Sequence, residues 1–103
     1  MKRYDKLVRD RIPQIIRDGG RDCRTRTLSQ EEYVARLHDK LREELDEYLA
    51  SGEMEELADL CEVIRAVAAA HGSSMEEIEA LRARKAQERG GFDGRILLID
   101  VTD

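Results

Sequence analysis

The chain has little of several things: one proline, two cysteines and four aromatic residues, three Tyr and one Phe, in 103 positions. So few aromatics argue against a β-sandwich, and the Leu, Ala, Glu, Lys and Arg that dominate instead are the profile of a helical protein. Cys23 and Cys61 show neither a CxxC pair nor Cys/His ligand spacing, which leaves two free thiols in a reducing compartment. No apolar run is long enough to cross a bilayer, and the start MKRYDKLVRDR lacks the apolar segment of a signal peptide. The expectation is a cytoplasmic protein with no membrane partner. Positive charge is not in excess either: 18 Lys and Arg against 23 Asp and Glu give a formal net charge of -5, which works against binding duplex nucleic acid. A P-loop with its Lys-Ser/Thr ending is absent, and no segment fits the calcium loop of an EF-hand.

What is present reads as one mainly α domain over residues 1–103, with a modest core. A short helix is expected from Asp10 to Asp18, capped by Asp10, with Pro13 in its first turn and Gly19 as its stop. A second starts at Ser29, where Glu32 completes a capping box, and ends at Gly52. A third runs from about Glu53 to Ala70 and closes at His71-Gly72, where His71 suits a C-terminal position better than a catalytic one. The fourth begins at Ser73 or Ser74 and ends near Arg89, before Gly90-Gly91. The tail RILLIDV is β-like, and either RYDKLV near the start or another subunit would serve as its pairing partner. Helix three is apolar around most of its girth beyond Leu60, and Cys61 falls on one of its apolar stripes and is expected in the core. A second copy is therefore expected to cover this helix, making a homodimer or higher homo-oligomer.

Carboxylates interrupt this pattern. The inward seam of helix two runs Val34, Leu37, Leu41, Glu44, Tyr48, so Glu44 fills a slot that calls for an apolar residue. On helix three, Glu56 and Asp59 share a stripe with Val63 and Val67. Only Ser51-Gly52 separates the two helices, so they should fold back as an antiparallel hairpin. Glu47 and Glu56 are then equidistant from the turn, as are Glu44 and Asp59. Each helix presents its pair at i, i+3, on one face. Four such carboxylates would repel one another without a cation, and oxygen-only ligands favour Mg²⁺ or Mn²⁺ over Zn²⁺. Glu43 is a weaker candidate ligand. A phosphate-bearing ligand would also need cationic side chains, for which Lys85 and Arg89 form one candidate pair and Arg9 and Arg11 another.

EELDE followed by ELAD resembles the EExxE and ExxD signature of the all-α nucleoside triphosphate pyrophosphohydrolases, the MazG-like superfamily. YDKLVRDRIPQII and KAQERGGF resemble a small single-domain branch of it, related to phosphoribosyl-ATP pyrophosphohydrolase. The resemblance implies a four-helix fold in which Glu44, Glu47, Glu56 and Asp59 bind Mg²⁺ and take part in catalysis. It further implies cleavage of a nucleoside triphosphate substrate between the α and β phosphates, giving a monophosphate and pyrophosphate, in the manner of a house-cleaning enzyme. The alternative is a helical module that binds nucleotides or a partner protein without turnover.

Overall fold

The computed structural model describes residues 2–102. It is mainly α, with α1 at Ile12–Asp18, α2 at Gln30–Ser51, α3 at Met54–Ala70 and α4 at Met75–Arg89. No strand occurs among the described residues. None of their helices is long and apolar enough to cross a membrane.

The helix ends follow local chemistry. At the start of α2 the Ser29 hydroxyl accepts from the Glu32 backbone N–H at 3.2 Å, and the Glu32 carboxylate accepts from the Ser29 N–H at 3.2 Å. Arg26 also grips that carboxylate at 2.7 Å, which with the Ser29 contacts holds its pKa down at about 2. At the other end Gly52 takes φ 69 and donates to the Tyr48 carbonyl at 2.7 Å, a left-handed turn that a side chain would strain. The chain reverses there, and α2 and α3 pack as the expected hairpin. α3 ends in a Schellman turn: Gly72 donates to the Ala69 carbonyl and Ser73 to the Ala68 carbonyl, with His71 as the capping position. Ser74 caps α4. The first helix departs from expectation, because it starts after Arg11 with no side-chain cap, so Asp10 does not cap it.

The core lies inside the hairpin. Leu37, Val63 and Ala66 are buried together, with Leu7, Tyr33, Leu41, Val67 and Ala70 packed around them. Leu7 carries the N-terminal lead onto this core. At the edges the expectation for Cys61 fails, and of the two partners expected for the tail the lead is not the one. Cys61 is exposed: the core cluster of α3 runs through Val63, Ala66 and Val67, and Cys61's own stripe is covered only farther along, at Ala68. The β-like tail pairs with nothing among the described residues: a strand needs a ladder partner, and the lead that would supply one is drawn instead onto α2 and α3.

The protein is open for its length. Its accessible surface is 9380 Å², whereas a folded monomer of this mass exposes about 5,900 Å². Its radius of gyration is 18.4 Å, against about 13 Å for a compact chain of this length. Leu45, Leu49, Met54 and the tail residues Ile96, Leu97, Leu98, Ile99 and Val101 are exposed, and Phe92 is 98% so.

Candidate metal centre

Glu44 is the buried acidic residue at the heart of the hairpin, with only 7% of its surface accessible. Its Oε1 stands 3.4 Å from the Lys40 ammonium, and its buried Oε2 has no hydrogen-bond partner. Burial raises the pKa of this carboxyl, and the neighbouring Glu47 carboxylate raises it further, with Lys40 offsetting part of the effect. A buried carboxylate oxygen left unpaired costs free energy that a cation would recover.

Two groups of oxygens meet at this residue. Carboxylate oxygens of Glu44, Glu56 and Asp59 lie within 4.8 Å of one another, and so do oxygens of Glu43, Glu44 and Glu47. Ligand oxygens of an octahedral Mg²⁺ ion are about 2.9 Å apart when adjacent and about 4.2 Å when opposite, so the oxygens of either group would draw inward to hold one. Rather than a single four-membered cage, the hairpin holds two triads that share Glu44. One spans both helices; the other runs along α2, with Glu47 open to solvent. The donors are all oxygen and one is buried without a partner, a set that could hold a hard divalent cation.

Three cations stand against these carboxylates. Arg9 Nη2 lies 2.8 Å from Asp59 Oδ1, Lys6 Nζ lies 2.6 Å from Glu43 Oε1, and Lys40 Nζ lies 3.3 Å from Glu43 Oε2. The Lys6 contact holds the Glu43 pKa below the usual carboxylate range and raises that of Lys6. Together these groups line a cleft of about 310 Å³, walled by Lys6, Arg9, Lys40, Glu44 and Asp59, with Tyr4, Val8 and Ile12 on its apolar side. A larger groove of about 400 Å³ lies along α3 next to Cys61 and Met75, where Glu62 is tied to Arg65 at 2.8 Å. The carboxylate groups make the first cleft the chemically informative one.

Of the four basic residues expected to hold phosphate, only Arg9 lines this cleft. Arg11 is exposed in front of α1. Lys85 and Arg89 are exposed on α4, which packs against α3 alone among the helices, and Arg89 occupies its last turn, where a cation complements the helix dipole. Lys6 and Lys40 were not anticipated. Lys40 was legible in principle, being placed at i, i+3 and i, i+4 from Glu43 and Glu44, whereas nothing local marks Lys6, 37 residues from its partner.

The fold and site thus describe a mainly α protein with a carboxylate cluster across a helical hairpin. No family model matches the chain, and no solved structure matches it. It is 54% identical over 46 residues to an uncharacterized protein of Mycolicibacterium smegmatis, a match covering 45% of this chain and 47% of that protein. The chain therefore spans about half the length of that relative.

Proposed function

We propose that the protein is a Mg²⁺-dependent nucleoside triphosphate pyrophosphohydrolase of the MazG-like kind. The observation that carries this reading is Glu44, buried with an unpartnered oxygen among Glu56, Asp59, Glu43 and Glu47. The resemblance of EELDE and ELAD to the superfamily signature supports it independently.

Glu44, Glu56 and Asp59 would hold the cation, with Glu47 and Glu43 adjoining. When bound, Mg²⁺ or Mn²⁺ supplies charge neutralisation and Lewis acidity. Glu47, beside Glu44 and open to solvent, is the carboxylate suited to accept the proton of the attacking water. Water adds to the α phosphorus as the bond to the α–β bridging oxygen breaks, and pyrophosphate leaves. The cleft excludes little water, so catalysis rests on orientation and charge rather than on enclosure.

A homodimer in the cytoplasm belongs to the same proposal. The surface exceeds that of a compact monomer by roughly 3,500 Å² per chain, so covering about a third to two-thirds of it on each of two copies gives roughly 2,000–5,000 Å² in total, the size of a permanent interface. A second reading, a nucleotide-binding or protein-interaction module without turnover, is favoured by one observation: Arg9 and Lys6 already neutralise Asp59 and Glu43. The deciding experiment is pyrophosphate release from a panel of canonical and modified nucleoside triphosphates with Mg²⁺, with Mn²⁺ and with chelator. Metal-dependent release supports the enzyme; silence across the panel removes it.

A further inference from the structure

The N-terminal lead is attached to the hairpin in an informative way. Residues 2–9 form no helix, yet Lys6 reaches Glu43 on α2 and Arg9 reaches Asp59 on α3, so the lead bridges the two helices beside Glu44 with one cation on each. Between them Leu7 packs on the core beside Leu37 and Val63. The backbone is thus anchored by an apolar contact, while the two cationic heads are held only by exposed ion pairs. Such pairs are weak and exchange readily.

Charge in the cleft is unbalanced. The imbalance is that of the two carboxylate groups that meet at Glu44: Glu43, Glu44, Glu47, Glu56 and Asp59, of which Glu44 and Asp59 line the cleft itself, stand against three cations, Lys6, Arg9 and Lys40. The remainder is two negative charges, the amount one divalent cation cancels. Asp59 cannot give its full charge to a metal ion while it serves Arg9, and Arg9 released from Asp59 is an unpaired guanidinium at the edge of the same cleft. Guanidinium binds phosphate oxygens through paired, charge-assisted hydrogen bonds.

We infer that the lead is a counter-ion strap: Lys6 and Arg9 occupy Glu43 and Asp59 in the empty protein and transfer to the phosphates of a metal–polyphosphate ligand. This rests on reading Glu44, Glu56 and Asp59 as the cation-holding group. The strap makes bare metal a poorer ligand than the metal–polyphosphate complex, because only the complex supplies both the cation for Asp59 and the anion for Arg9. It therefore selects for a phosphate chain that arrives with its metal.

The test is isothermal titration calorimetry with two probes, Mn²⁺ alone and the preformed Mn²⁺ complex of inorganic tripolyphosphate, on wild type, Arg9→Gln and Lys6→Gln. Removing the competing cation should tighten Mn²⁺ alone by about fivefold, the value of an exposed ion pair. The same variants should bind the complex about tenfold more weakly, through the lost charge-assisted contacts. Arg9→Lys keeps the charge but not the paired donors, so it should leave Mn²⁺ alone near its wild-type affinity and weaken the complex by less than Arg9→Gln does. Arg82→Gln, which breaks a pair on α4, should change neither affinity. Loss of fold would weaken both probes together, so only opposed shifts support the strap, and parallel or absent shifts overturn it. Should Arg9→Gln not fold, the Lys6→Gln and Arg9→Lys titrations decide. Opposed shifts without pyrophosphate release would keep the strap and remove the enzymatic reading; release without opposed shifts would do the reverse.

Discussion

Arg9 and Asp59 lie 50 residues apart in the chain, yet their Nη2 and Oδ1 atoms stand 2.8 Å apart beside the helical hairpin. This pair joins the lead to α3 at the point where α3 meets the buried carboxylate of α2.

Glu44→Gln should stabilise the metal-free protein at pH 7 by about 1–2 kcal/mol, by removing a buried charge with an unpartnered oxygen. The sign against pH follows from its raised pKa. Folding disfavours the ionised form, so the penalty is full above the folded-state pKa, and it vanishes below the ordinary value of 4.5. Thermal melts of both proteins across pH should show the advantage of Glu44→Gln shrinking as pH falls. A constant difference would show that its origin is not electrostatic.

Mg²⁺ or Mn²⁺ should raise the melting temperature of the wild type by linkage, since only the folded state holds the oxygens together. The rise should disappear in Glu44→Gln. An equal rise in both proteins would point to ions bound elsewhere.

Asp59→Asn preserves shape while removing a charge shared between the metal group and Arg9. Pyrophosphate release should fall by about a hundredfold or more, as expected for loss of a group that acts in the transition state, with helical circular dichroism unchanged. Unaltered turnover would take Asp59 out of the site.

Ser29→Ala removes one half of the capping box and should cost about 1 kcal/mol, measurable by urea denaturation. A neutral result would mean that the Arg26–Glu32 pair alone fixes the start of α2.

Sedimentation at micromolar concentration should give a dimer, in which the exposed Leu45, Leu49 and tail residues find cover. A monomer at every concentration would leave that surface unexplained and remove the dimer from the proposal.

Much of this arrangement was legible because its causes are local. Ser29 with Glu32, Gly52 and Ser74 announce helix boundaries within a few residues of where they act. Glu44 was legible as a break in an apolar seam, and the hairpin buries it as that break implies. Asp59 meets it because equal spacing from a tight turn brings residues level on two helices, whereas Glu56, level with Glu47 by the same count, joins Glu44 and Asp59 instead. Lys6 was not legible, since a cation in an irregular lead has no period to betray its partner. Cys61 was misplaced because periodicity identifies an apolar stripe but not where along it a neighbour covers it. The tail RILLIDV has strand-like residues, but pattern cannot supply a ladder, and among the described residues it has none.

The most direct measurement is phosphorus NMR of a nucleoside triphosphate incubated with the protein and Mg²⁺, alongside Asp59→Asn and a chelated control. The account requires monophosphate and pyrophosphate from the wild type alone. Orthophosphate with a diphosphate, or an intact triphosphate under conditions where the metal is shown to bind, would contradict it.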